Sequence, residues 1–298
     1  MSDVAIGYVN GSRFRLALVA GGTRLMRYRE QLNQINVFPV ADSDTGTNMA
    51  GTIAAVVRKL KTTEERSLGV VSKMAAEAAI QGARGNSGAI LAQFFVGLAR
   101  ELGDQASVTG DAFAAAAERA VKHAVSAISS PKEGTILTVL RSWGSALREA
   151  TQRHRDLFHS FADSLAAANQ ALKQTTQLLP ALRKAKVVDA GALGFVRMIE
   201  GVHRLMIHGQ KEVEESSIGE EAPELELDHA DATQEPNFRY CTECLLTELV
   251  VEPGELTEKI EDLGDSIVVV GNQELARVHI HTDSPGILFR RLARQGIL

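Results

Sequence analysis

Asn36-Val37-Phe38-Pro39-Val40-Ala41-Asp42-Ser43-Asp44-Thr45-Gly46-Thr47-Asn48-Met49 is the stretch on which the reading of this chain turns. Two carboxylates one residue apart are followed at once by a Thr-Gly-Thr-Asn run and then by apolar residues at helical spacing. Two readings are open. Asp42-Ser43-Asp44 can simply cap the helix that follows, since Asp and Thr are favoured at helix starts. Alternatively, Asp42 and Asp44 supply the hard oxygen ligands that Mg²⁺ takes, while Thr45, Gly46, Thr47 and Asn48 offer hydroxyls, an amide and backbone N–H groups to an anion at the helix N-terminus. Pro39 closes whatever helix comes before.

Working outward, apolar residues recur at helical spacing on both sides. Leu18, Leu25, Tyr28, Leu32 and Ile35 predict one amphipathic helix over residues 13–35, and Met49, Ile53, Val56 and Leu60 a second over 47–60. A third spans 67–81. Gly82-Ala83-Arg84-Gly85-Asn86-Ser87-Gly88 then leads into a fourth that ends near Leu102. These glycines suit a plain helix-helix turn, and they equally suit a backbone that approaches a ligand and presents successive N–H groups to it. The Lys-Ser/Thr pair that closes a P-loop is absent. Further helices are expected over 111–127, from Glu133-Gly134-Thr135-Ile136 to about Ala150, over 158–179 up to Pro180, and over 187–207. Eight helices on short loops imply antiparallel neighbours. No strand-like alternation occurs in this part of the chain.

Residues 211–235 hold ten acidic residues against one lysine, which is −9 of a total charge of −5, so the remainder carries only +4. Such a segment, almost without bulky apolar residues, is expected to be a flexible linker. Beyond it the pattern changes: strand-like residues from Tyr240, a short helix with Leu256, Ile260 and Leu263, a strand over 266–270, a Gly271-Asn272 turn, a strand over 276–281, and a last helix opened by Pro285-Gly286. The expected fold class is therefore an all-α N-terminal domain (residues 1–208), an acidic linker (209–236) and a smaller α/β domain (237–298).

With 45% apolar and 23% charged residues in 298, the composition is that of a globular chain. No apolar run approaches the roughly 18 to 20 residues that span a bilayer, so membrane contact is expected to be peripheral or absent. Clustered Lys/Arg stripes with interleaved aromatics, the usual footprint of nucleic-acid binding, are missing too. Cys241 and Cys244 are the only cysteines, so a disulfide framework is excluded and a reducing cytoplasm is the expected compartment.

Cys241-Thr242-Glu243-Cys244 invites a redox pair or half a zinc ribbon, yet no second Cys pair exists and the segment reads as a strand rather than a helix start. On a strand, residues three apart face opposite sides, whereas His279 and His281 share a face. Cys241, His279 and His281 form the better set, suited to Zn²⁺ with a fourth position open; two histidines on a half-exposed strand are the alternative. Cys244 reads as a small buried apolar residue. His123, His154, His159, His203, His208 and His229 read as surface or helix-end residues, and Trp143 as helix core.

Taken together, the Asn36 to Met49 stretch, the glycine run at residues 82–88, Glu133-Gly134-Thr135-Ile136-Leu137-Thr138 and Val187-Val188-Asp189-Ala190-Gly191 resemble the nucleotide-binding domain shared by the L subunit of dihydroxyacetone kinase and the catalytic subunit of bacterial fatty acid kinase. Tyr240-Cys241-Thr242-Glu243 and Val278-His279-Ile280-His281-Thr282-Asp283-Ser284-Pro285-Gly286 extend the resemblance on the fatty acid kinase side. It implies an eight-helix antiparallel barrel with ATP and two Mg²⁺ ions at one end. Asp42 and Asp44 would hold the metal, with Asn36 as a further oxygen ligand. Thr45, Gly46, Thr47, Asn48, Gly85, Asn86, Ser87 and Gly88 would hold phosphates, and Gly134, Thr135, Asp189 and Gly191 would border base and ribose. The resemblance also implies zinc in the second domain, a fatty-acid-binding partner subunit, and acyl phosphate as product; a homodimer is a candidate assembly.

Three departures stand out: Ser43 replaces the family's usual glycine between the two aspartates, Ala41 a proline, and Ala192 a second glycine after Gly191. If that glycine is left-handed in the family, serine there costs about 1–2 kcal/mol. Fatty acid kinase subunits are also longer, with a further C-terminal domain, so a fragment is one expectation for a chain ending at Leu298. Two other functions remain open: phosphorylation of a small hydroxyketone, and a non-catalytic nucleotide-binding module.

Overall fold

The structure is a computed structural model that describes residues 6–39, 43–128, 130–209 and 237–298. The linker expected over 209–236 falls, apart from Gly209, outside the described residues, as does Asp42.

Among the described residues, eight helices of fifteen residues or more form the first part: α1 (Gly11–Arg27), α3 (Thr45–Lys61), α4 (Leu68–Gly82), α5 (Gly85–Leu102), α6 (Gly110–Ser126), α7 (Ile136–His154), α8 (Leu157–Leu178) and α10 (Ala190–His208). Each packs on the next, and α10 packs back on α1, so the ring closes. Polar caps set several starts: Asn10, Thr109, Asp156 and Asp189 each accept a bond from an N–H of the first turn. The interior holds a herringbone of rings, with Trp143 edge-on to Phe94, Phe161 and Phe195 at centroid distances of 5.9, 6.2 and 5.4 Å. Trp143 is core, as its helical setting predicts.

Four local features differ from the sequence reading. The helix expected over 13–35 breaks at Tyr28 (φ −88°, ψ 7°) into α1 and the six-residue α2 (Arg29–Gln34). Pro180 does not merely stop α8; it is the first residue of the six-residue α9 (Pro180–Ala185), where its missing N–H is no loss. The helical part also contains strand: β1 (Tyr8–Asn10) pairs antiparallel with β2 (Ser107–Thr109). And the residues expected to open a helix at Glu133 form a turn, with α7 starting only at Ile136 after the Thr135 cap.

The second part is a three-stranded antiparallel sheet with two helices: β3 (Tyr240–Thr247), α11 (Pro253–Ile260), β4 (Gly264–Gly271), β5 (Leu275–Thr282) and α12 (Pro285–Leu292), in strand order β3-β5-β4. Alternation sorts its faces. Leu246, Ala276, Val278 and Ile280 pack with Leu256, Ile260, Leu288 and Leu292 on the helix side. Val268 and Val270 join the core of the helical ring, with Leu245 and Leu275 beside them, and β4 lies along α5. Cys244 is partly buried in the small core, and that burial pushes its thiol up to about 11.

Candidate functional site

Antiparallel alternation around the ring sends every second helix N-terminus to the same end. The starts of α3, α5, α7 and α10 all reach one cavity of about 620 Å³, through Thr45, residues 85–87, residues 135–137, and Asp189 with Gly191. Four helix N-termini give it unpaired N–H groups and positive dipole ends. Asn36, Asp44 and Asn48 complete this wall. From the opposite side the sheet contributes Cys241, Asp265, Ser266, Val268, His279 and His281 to the same cavity.

Asp44 precedes α3 with its carbonyl accepting from Asn48 N–H at 2.8 Å, but its side chain makes no capping bond. The helix-cap reading therefore does not account for Asp44. Ser43 has φ +55°, the left-handed region that favours glycine, so the substitution noted in the sequence falls where it costs most. Asp189 does cap: Oδ1 accepts from Ala192 N–H at 2.8 Å, while its own N–H donates to Thr175 Oγ1 at 3.0 Å. Burial, outweighing hydrogen bonds from the backbones of Ala192 and Ile136, raises the Asp189 carboxyl to about 6.

Not every sequence candidate reaches the cavity wall. Gly46, Thr47, Gly88 and Gly134 do not line it. Thr47 is tied to Asn33 through both its N–H and its hydroxyl, each at 3.0 Å. At Gly46 a Cβ would lie 2.0 Å from the Arg29 carbonyl oxygen, and at Gly88 one would lie 2.4 Å from Thr52 Oγ1, so both glycines permit close helix packing. Gly134, at φ +84°, makes the turn before α7 and donates to Thr138 Oγ1 at 2.9 Å. Asn36, Asp44, Thr45, Asn48, Gly85, Asn86, Ser87, Thr135, Asp189, Gly191, Cys241, His279 and His281 are brought together.

On the sheet, Cys241 stands opposite His281, and Glu243 opposite His279. The ligand atoms of Cys241, His279 and His281 lie within 4.8 Å of one another, with Cys241 Sγ 3.9 Å from His279 Nδ1. His279 is buried, and its Nε2 has no hydrogen-bond partner among the described residues; Asn86 Oδ1, also on the cavity, is in the same position. Contacts from His279 and His281 draw the Cys241 thiol down to about 7. Burial opposes protonation of His279, but Cys241 and Glu243 outweigh it and raise the imidazole to about 9. A low thiol, two imidazoles and an orphaned ring nitrogen fit a tetrahedral Zn²⁺ site.

Each imidazole is also backed by a carboxylate: Glu243 Oε1 lies 3.1 Å from His279 Nδ1, and Asp265 Oδ1 lies 3.8 Å from His281 Nδ1. Such partners orient metal-binding histidines. A bulge in β4, with a register shift between Asp265 and Val268 and Ser266 at φ +55°, brings Asp265 and Ser266 together onto the cavity.

Sequence reasoning missed Glu243, Asp265, Lys132 and Arg239. Glu243 was within reach, since it is two residues from Cys241 and so shares its face. Asp265 depends on the bulge, and Lys132 and Arg239, exposed cations on the cavity, carry no local signal.

Residues 39–204 match the DAK2 domain, and residues 237–298 match the FakA-like middle domain of fatty acid kinases. An uncharacterised protein of Staphylococcus epidermidis is 30% identical over 307 residues, covering 98% of this chain and 54% of that protein. One from Staphylococcus aureus is 28% identical over 291 residues, covering 95% and 53%. The chain thus spans about half the length of the curated relatives it matches. The dihydroxyacetone kinase of C. freundii (native form) superposes with a TM-score of 0.51 at 16% identity, over 68% of this chain and 36% of that one, a likeness of fold. The chain belongs to the DAK2-domain family and joins that domain to a FakA-like middle domain.

Proposed function

We propose that this chain is the nucleotide-handling part of a kinase that transfers the γ-phosphoryl group of ATP to a fatty acid carboxylate presented by a lipid-binding partner subunit, giving acyl phosphate. The observation that carries the reading is the convergence of four helix N-termini and Asp44 on one cavity that the Cys241/His279/His281 cluster also faces. Phosphoryl transfer needs position and charge neutralisation more than a covalent catalyst. A carboxylate nucleophile is already ionised near neutral pH, so no general base is required.

In this reading residues 85–87 and Thr45 hold phosphate oxygens through N–H and hydroxyl groups, and Asn48 and Asn86 supply side-chain amides. Lys132 and Arg239 add positive charge at the rim. Asp44, with Asp42 from outside the described residues and Asn36 behind them, offers Mg²⁺ the oxygen ligands it prefers. When bound, Mg²⁺ supplies Lewis acidity and a template for the terminal phosphates. Thr135, Asp189 and Gly191 border the nucleoside. Cys241, His279 and His281 would hold Zn²⁺. The same reading keeps the division into residues 1–208, 209–236 and 237–298, a cytoplasmic setting and at most peripheral membrane contact. Among the described residues, no helix is long and apolar enough to cross a membrane.

The test is Mg²⁺-dependent ATP binding by calorimetry, lost in Asp42→Ala and Asp44→Ala, followed by acyl phosphate formation once a lipid-binding partner is added. Absence of Mg-ATP binding in the unaltered chain would sink the reading. For zinc, elemental analysis should find one equivalent in the purified chain and much less after Cys241→Ser.

A further inference from the structure

We propose that Glu243 is a positioning residue that couples the Cys241/His279/His281 cluster to the start of α5, so that a cation in the cluster releases the Gly85 N–H for an anion. The proposal rests on the reading above for the identity of the two ligands, but its geometry stands on this chain alone. Glu243 Oε1 accepts from Gly85 N–H at 2.6 Å and lies 3.1 Å from His279 Nδ1. Its other oxygen accepts from Arg277 Nη1 at 3.2 Å. Arg277 in turn donates from Nε to Ile80 O at 2.9 Å and from Nη2 to Gln81 O at 2.7 Å.

One carboxylate therefore sits on the N-terminus of α5 and one guanidinium on the last turn of α4, each matched to the dipole end it meets. This pair from β3 and β5 grips both sides of the glycine turn at residues 82–85. Gly85 has φ +55°, and a Cβ there would lie 2.2 Å from Asn48 Nδ2, so the turn has no slack for a side chain. The Gly85 N–H is thus occupied by a protein carboxylate in the place where a phosphate oxygen would bind.

The same carboxylate holds the imidazole that a metal would take. A cation among Cys241, His279 and His281 attracts Glu243 toward the sheet and competes for His279, and both effects weaken the bond to Gly85. Loading the cluster should then open the α5 terminus, and by linkage an anion seated there should tighten the cluster's hold on its cation. A merely structural clamp would leave the Gly85 N–H unchanged when metal is added.

The experiment uses the full chain with Zn²⁺ alone and then with ADP. Amide exchange at Gly85 should speed up by about tenfold on adding Zn²⁺, as a charge-assisted bond is lost. In Glu243→Ala it should be fast with or without metal. In Glu243→Gln, which keeps an acceptor for Gly85 but has no charge to be drawn away, it should stay slow in both conditions; this variant decides the matter if Glu243→Ala does not fold. Zn²⁺ should also tighten ADP binding by about fivefold or more in the unaltered chain, and less in either variant. Bound Zn²⁺ with unchanged Gly85 exchange overturns the coupling and leaves the kinase reading intact. Loss of ADP binding overturns the kinase reading, and the Gly85 response to Zn²⁺ still decides the coupling.

Discussion

Asp189 shows how one residue can serve structure and site at cross purposes. Its carboxylate caps α10 and borders the cavity, yet burial raises it to about 6 from an ordinary value of 3.8. The folded state therefore holds this proton more tightly than the unfolded state. The stability it contributes is full below about pH 4 and is lost as pH rises through about 6. Asp189→Asn keeps an acceptor for Ala192 and has no such titration. Between pH 4 and pH 7 the variant should gain roughly 3 kcal/mol on the unaltered chain, read from denaturant melts at the two pH values; parallel pH profiles would refute the assignment. Ser43 gives a second case. Its φ of +55° makes Ser43→Gly a relief of backbone strain, expected to stabilise by about 1 kcal/mol after glycine's greater unfolded-state entropy is allowed for. An unchanged melting temperature would argue against strain at Ser43. The sequence already marked this position, because serine stood where glycine was expected; the backbone supplies the reason it matters.

At the scale of elements, what could be read in advance follows from local physics. Helical periodicity located the long helices to within a few residues, and the strands of the sheet emerged from alternation and turn residues. The break at Tyr28 and the β1–β2 ribbon were hidden for different reasons. Tyr28 has neither proline nor glycine to announce it, and three-residue strands are too short to show alternation while their partners lie about a hundred residues apart. The functional motif also misled in part: Gly46 belongs to a run suited to anions, but what it does is let α3 approach the Arg29 carbonyl of α2. Gly46→Ala should cost about 1–3 kcal/mol by overpacking that contact, measurable as a lowered urea midpoint with unchanged slope. A neutral effect would mean the two helices part easily.

Over the whole molecule, the two candidate ligand sets proved to share one cavity, which no local pattern could reveal because it depends on which face of the sheet meets α5. That meeting is apolar as well as ionic. Val268 and Val270 are 2% and 0% exposed within the core of the helical ring. A continuous core predicts a single cooperative transition. Val270→Asp, which buries an unpartnered charge at this seam, should separate the thermogram into two transitions and lower the first by several degrees. A single transition at the original temperature would show that the seam contributes little.

The alternation of helix directions has one more consequence. Four dipoles point toward the cavity end and four away, so over the barrel as a whole they cancel, and their attraction for an anion survives only within about a turn of each terminus. With a net charge of −5, the chain has no reason to draw a phosphate compound from a distance. Capture should therefore proceed by unassisted diffusion, at a rate nearly indifferent to ionic strength, and discrimination should fall to how long a ligand stays once it has entered.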